Sequence, residues 1–417
     1  MSFDRIGIRP ARILLPAASV PPETWACIAC DQYTSEPEYW RKAYDTVGSA
    51  PSALRLILPE MNLKRSEQLI PGIHAAMADY LREGLLAPAV DPGFVLCERT
   101  VPAGSRLGLV CAVDLEQYSF EKGSLPLVRP TEQTIASRLP PRLVIRRGAP
   151  VELTHIMILI DDPERTVLEP LQAKENSLRK LYDFDLMMNG GHLKGWAVEK
   201  DEDLQHVDDA LSALLEKLGA DPLLLAVGDG NHSLATAKAY WEELKQGLSA
   251  EEQANHPARY ALCEIVNIHD NALLFEPIHR VVTGVEPAEL LRDWQEYAGK
   301  RGMTLDAAEG HRFTVVCAAG DQVVTVGKPE GAIPCETIQK FLDDFLARHP
   351  EAEIDYIHGE QSLRALAGKP QAIGFLLPEI DKNSFFNDVK KLGVLPRKTF
   401  SMGEADEKRF YMEAKQI

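Results

Sequence analysis

Nothing in this 417-residue chain approaches the roughly 18–20 consecutive apolar residues that a membrane span requires. The start, "MSFDRIGIRPARILLPAAS", lacks a long apolar core behind a basic head, so no signal peptide is read there and a cytoplasmic protein with no membrane contact is expected. Basic runs are equally scarce: "VIRRG" and "LPRK" are short, and the formal net charge is −17. Such a charge repels phosphate backbones at long range, which argues against a nucleic-acid partner and leaves room only for a local pocket that takes one small anion. Seven cysteines are too few for a disulfide scaffold at this length. Cys27 and Cys30 make a lone CxxC, with no second CxxC and no HxxxH to complete a zinc site, so buried structural thiols are expected. Low-complexity tracts and internal repeats are missing too. What remains, 45% hydrophobic and 26% charged residues, suits a soluble globular protein of two or three packed units.

The pattern of what is there alternates strands and helices. "ARILLPA" reads as a strand closed by proline, "SEPEYWRKAYDTVG" as a helix that Ser35 would cap, and "SEQLIPGIHAAMADYLREGLL" as a helix apolar at Ile73, Met77, Tyr80, Leu81 and Leu85. "FVLCERTV" and "SRLGLVCAVDLEQY" make a strand pair, and "HIMILIDD" a further strand. A glycine-rich hairpin at "MMNGGHLKGWAVE" leads to the helix "DLQHVDDALSALLEKLGA" and the buried strand "LLLAV". The tone changes beyond about residue 290, where a hairpin, two helices and a strand follow. The chain is therefore divided into 1–290 and 291–417, with the boundary between 285 and 295.

Chemistry concentrates where "LLLAV" meets "GDGNHS". Leu234, Ala237, Trp241 and Leu244 recur at helical spacing, and Gly247 stands ready to stop the helix. Residues 228–233 thus lie at a helix N-terminus, where unpaired amides and the helix dipole favour an anion. Gly228 and Gly230 allow a sharp turn, His232 can donate to a phosphoryl oxygen or move a proton, and Asp229 can hold a metal ion, orient His232 or accept a proton. The plainer alternative is that Asp229 or Asn231 only caps the helix, although capping explains one polar residue rather than four in five positions. A Walker loop, the dinucleotide fingerprint and a nucleophile elbow are all missing.

"GDGNHSLATA" resembles the "DGHHRxxTA" signature of domain-of-unknown-function family 1015, and other segments agree in the same order. "RPTEQTIASRLPPRLVI" is similar to its "HExTxxxxxxDRL" stretch, "FEPIHRVV" to "LPTHRVV", "IDYIHG" to an Asp-Tyr-hydrophobic-His pattern and "LGVLPRKTFSM" to its closing element. That family in turn resembles the ParB/sulfiredoxin-like fold, which includes free-serine kinases. The resemblance implies an α+β (mixed α/β) architecture: a ParB/sulfiredoxin-like core with insertions, followed by a C-terminal α/β domain. It also implies a phosphotransferase with ATP or ADP and Mg²⁺ as cofactors and a small hydroxylated, serine-like metabolite as substrate. Asp229, His232 and Glu132 would then be catalytic, with Glu132 as general base and Asp229 as the Mg²⁺ ligand. Gly228, Gly230, Asn231 and Ser233 would hold phosphate, and Asp31 and Tyr33 would shape the substrate pocket.

One departure bears on mechanism. Ser233 stands where the family carries an arginine, so the phosphate charge must be met elsewhere, by Arg129, Arg142, Arg397, Lys398 or a metal ion. A non-catalytic nucleotide- or metabolite-binding regulatory protein is therefore the alternative, and a homo-oligomer stays open. His192 and Lys194 in "NGGHLKG" could touch phosphates, although a glycine-rich hairpin turn is the simpler reading, and His279, Arg280, Asp355 and His358, at apparent strand ends, are read as structural hydrogen-bonders.

Overall fold

The computed structural model describes residues 3–34, 36–135 and 139–417, so Ser35 and its expected capping role lie outside the described residues. The chain is mixed α/β and forms two compact units: Met1–Leu274 together with Glu404–Ile417, and Phe275–Gly403. The first boundary thus falls earlier than the expected 285–295, and the final segment belongs to the first unit instead of closing the second. No helix among the described residues is long and apolar enough to cross a membrane.

Side-chain alternation builds the first unit. In the strand Leu86–Val101, Val95 and Cys97 point into one hydrophobic core while Phe94 and Leu96 point into another. Its antiparallel partner Gly104–Asp114 repeats this, with Val110 and Ala112 on one side and Leu109, Cys111 and Val113 on the other. A sheet apolar on both faces needs cover on both. The helices Pro37–Val47 and Ser66–Arg82 cover one face through Trp40, Ala43, Ile73 and Met77. The helices Asp201–Glu216 and Asn231–Leu244 cover the other through Leu204, Val207, Leu211, Leu234 and Trp241.

Across the mixed sheet, Val128–Pro130 runs parallel to Leu225–Asp229, which is antiparallel to Ile156–Ile160; that strand is in turn parallel to Tyr260–Asn267, next to Gly104–Asp114. The C-terminal segment enters this unit by pairing Phe410 and Tyr411 with Ile28 and Cys27, and Ala414–Gln416 with Val151–Leu153. Burial of Phe410, Tyr411, Met412 and Ala414 in the core explains why residues distant in sequence return here.

The second unit is an antiparallel sheet whose strands include His311–Cys317, Ala372–Leu376, Phe275–Thr283 and Glu353–His358. Helices Pro287–Lys300 and Pro334–Arg348 pack Trp294, Phe341 and Phe345 on one face of it, and Glu360–Ala367 packs Leu363 on the other.

Candidate functional site

Two parallel strands, Val128–Pro130 and Leu225–Asp229, end at the same place, and the antiparallel strand Ile156–Ile160 begins there. Their mouths bring together "TEQT", "GNHS" and His155. Crevices beyond the carboxyl ends of parallel strands are where α/β proteins place ligands. The register slips between Val227 and Asp229, so Gly228 is the extra residue of a bulge that turns the strand out of the sheet. Gly230 then adopts φ +83° as the residue preceding the helix, and a Cβ there would approach the Ile156 Cα to 3.1 Å. The position requires glycine twice over, for its dihedral and for its space.

The polar residues of the corner are engaged by the fold in different ways. Neither Asp229 nor Asn231 caps the helix, whose N-cap is Gly230 without a side-chain bond. Asn231 is buried and accepts a hydrogen bond from the Thr131 amide at 3.1 Å, while the Thr131 hydroxyl donates to the Val227 carbonyl at 2.6 Å. It pins the two parallel strand ends to each other. The Asp229 Oδ1 accepts the Gly230 amide at 2.8 Å, and the amides of Ser233 and Leu234 donate to the Gly230 carbonyl. The anion cradle expected at these amides is therefore partly occupied by the chain itself.

What the corner presents is a mixed-charge basin. The Asp229 Oδ2 lies 3.6 Å from the Lys408 Nζ, and Lys408 is 11% exposed. His155 Nε2 lies 2.8 Å from the Ser233 Oγ. Asp31 is exposed to solvent, and its carboxyl feels the charges of Asp229 and His155. The low-dielectric surroundings push the Asp31 carboxyl upward, the Asp229 charge pushes it further, and His155 opposes both. Burial holds the His155 imidazole below its ordinary value against the pull of Asp31 and Asp229. Arg142 pairs with Glu60, whose amide donates to the Cys30 carbonyl, so this ion pair borders the same basin. The Tyr411 hydroxyl meets the Cys30 sulfur at 3.1 Å, and its ring packs edge-on against His155.

A raised Asp31 value means that the folded chain favours the neutral carboxyl. Its stabilising contribution is complete below the ordinary carboxylate range and is lost as pH rises through the raised folded value. Asp31→Asn, permanently neutral, is expected to melt higher than the parent chain at about pH 8 and level with it at about pH 3. Calorimetric scans at both pH values check this; a lower melting temperature for the variant at the higher pH contradicts it.

Other residues singled out from sequence have other surroundings. Arg129 is 4% exposed and engaged by Asp221. Glu132 follows Thr131, whose amide donates to Asn231, and the Ile135 amide donates to His232 Nε2 at 3.4 Å. Tyr33 stacks on Tyr39 at 3.8 Å between ring centroids. Arg397 and Lys398 belong to the second unit, where Arg397 lies over the Tyr356 ring. His192 bridges Asp183 and Asp185, and Arg280 is fully buried, donating to Gln339 and to the Ile278 and Arg397 carbonyls. All seven cysteines are free thiols, and no group of three or more metal-ligating side chains occurs among the described residues.

Sequence reasoning passed over His155, Lys408, Glu60 and Tyr411. His155 carried a weak signal, a lone imidazole just before the apolar run "IMILI". The other three are distant in sequence and only the fold assembles them.

Several solved structures are similar to this chain. A free serine kinase in complex with AMP is 13% identical, covers 73% of this chain and 90% of its own, and superposes with a TM-score of 0.39. A conserved hypothetical protein from Pyrococcus furiosus is 13% identical over 74% of this chain and 94% of its own, with a TM-score of 0.36. SbnI with a C-terminal truncation from Staphylococcus aureus is 9% identical over 70% of this chain and 83% of its own, with a TM-score of 0.34. No curated protein matches. The family described as "Protein of unknown function (DUF1015)" matches residues 8–345, most of the chain, and this protein belongs to that family.

Proposed function

We propose that the corner is the active site of a nucleotide-dependent phosphotransferase acting on a small hydroxylated metabolite, serine-like by the resemblance of its motifs. The observation that carries this reading is Lys408 held 3.6 Å from Asp229 at the mouth of the basin. Phosphoryl transfer asks a protein chiefly to position reactants and neutralise charge. The arginine replaced by Ser233 would have met that charge, and Lys408 supplies a cation at the same corner. Arg142, paired with Glu60, borders the basin as a second.

Mg²⁺ fits this set in one specific way. The absence of a three-ligand cluster among the described residues argues against a closed protein cage. Mg²⁺ commonly takes one or two carboxylates plus substrate phosphates, and Asp229 and Asp31 face each other closely enough for the charge of one to raise the other. When bound there, the ion would screen the phosphate oxygens. His232, half-buried in the first helical turn, would donate to a phosphoryl oxygen, and Glu132 would take the acceptor hydroxyl proton.

Titration calorimetry of the whole chain with ADP and Mg²⁺ tests this. Binding is expected, and Lys408→Ala should weaken it roughly 10–100-fold, as loss of one charge-assisted contact does. Absence of heat at millimolar ADP, or unchanged affinity in the variant, removes the reading. A non-catalytic nucleotide- or metabolite-binding regulator is the second reading, favoured by the internal acceptor that the Ser233 and Leu234 amides already have. Binding without any turnover would select it.

A further inference from the structure

Ser233 does more than vacate the place of an arginine. Its hydroxyl sits in the first turn of the fourteen-residue helix Asn231–Leu244, half-buried, with His155 Nε2 at 2.8 Å. The other ring nitrogen, His155 Nδ1, is buried and has no hydrogen-bond partner among the described residues. The ring is held edge-on by Tyr411, 5.3 Å between centroids, and faces the negative charges of Asp31 and Asp229 and the positive charges of Arg409 and Arg142. A hydroxyl on an imidazole nitrogen, with carboxylates stabilising the imidazolium that proton uptake creates, is the arrangement of an activated serine. The N-terminal end of the helix dipole adds stabilisation for negative charge growing on the attacked group.

We propose that Ser233 is a covalent nucleophile: its Oγ takes the phosphoryl group from the nucleotide before passing it to the acceptor. His155 is the base of that step. This rests on the phosphotransferase reading above. In the first half-reaction a bond forms between Ser233 Oγ and the terminal phosphorus, and the bond from that phosphorus to the bridging oxygen breaks. The nucleoside diphosphate leaves, and the hydroxyl proton moves to His155 Nε2. In the second, the acceptor oxygen attacks the phosphoserine and loses its proton to Glu132. Ser233 Oγ departs and recovers the proton from His155. The sum is transfer from nucleoside triphosphate to alcohol with release of one proton.

Cys30 is the other nucleophile beside the basin, and it is unsuited to the role. Burial and the neighbouring Asp31 push its thiol up to about 12, so it carries no thiolate near neutral pH. A serine paired with an imidazole needs no such ionisation.

The test is acid-quenched mass analysis of the whole chain after brief mixing with ATP and Mg²⁺. One phosphoryl group per chain is expected, mapped to Ser233, absent from Ser233→Ala and formed at least roughly 100-fold more slowly in His155→Gln. Both variants should keep the parent's circular dichroism, so the loss is not one of folding. Product formed by Ser233→Ala at the parent rate, or turnover with Ser233 never modified, overturns the proposal while leaving the phosphotransferase reading intact. Should ADP fail to bind, that reading falls and labelling with diisopropyl fluorophosphate, which needs no nucleotide, decides the nucleophile alone. Label on Ser233 that His155→Gln suppresses supports it, and an unlabelled Ser233 overturns it.

Discussion

Glu264→Gln is expected to lower the unfolding free energy of the first unit by about 3–5 kcal/mol, the usual cost of breaking a buried ion pair from one side. Glu264 is 2% exposed, on the strand Tyr260–Asn267. Its carboxylate is in contact with the Arg409 guanidinium and lies 3.9 Å from Arg106 Nη2. Arg409 also binds Glu413 at 2.5 Å, and Tyr182 donates to the same Glu413. Two buried guanidinium groups thus share two buried carboxylates. The Arg106 Nε and Nη2 have no hydrogen-bond partner among the described residues, so its charge leans on Glu264. Glutamine keeps the volume and removes the charge, which isolates electrostatics from packing. Because the network ties Arg409 and Glu413 to a central strand, the C-terminal segment should loosen first. Denaturant titration with hydrogen exchange at residues 404–417 checks both points. A loss under about 1 kcal/mol would mean that the pairing barely exceeds its desolvation cost.

Asp229→Asn is expected to reduce phosphoryl transfer by roughly 10²–10⁴-fold, the range for removing a group that acts on protons or charge in the transition state. The amide keeps an oxygen to accept the Gly230 amide, so the turn survives. What vanishes is the negative charge opposite Lys408 and beside Asp31 and His155. The sign of the accompanying pH effect follows. Asp229 raises the Asp31 value, so its neutralisation lets Asp31 ionise at lower pH. Asp229 also favours the imidazolium, so its removal makes His155 harder to protonate. Both apparent values therefore move down, and the acid limb of the rate profile shifts to lower pH. A variant that is merely misfolded would lose rate without that displacement.

The motif itself was legible for local reasons. Five apolar residues followed by Gly-x-Gly and a periodic stripe specify a strand, a tight turn and a helix, and the structure has all three at Leu225–Asp229, Gly230 and Asn231–Leu244. The cations did not follow. Arg129 stood close in sequence to the right segment, yet its side chain turns to Asp221. Lys408 sits 176 positions after His232, in a stretch with no pattern to mark it, and reaches Asp229 because the buried Phe410, Tyr411 and Met412 draw the chain's end into the first unit.

By itself the sequence determined the strand, turn and helix of the corner, because periodicity, turn residues and helix termini are written in neighbouring positions, while the class of fold was implied by the resemblance to a family. Only the tertiary structure decided which charges face that corner. His155 arrives by strand register, Asp31 from a loop near the N-terminus and Lys408 from a segment returned by burial. Side-chain partnership across a sheet depends on register and packing, which no local stretch encodes.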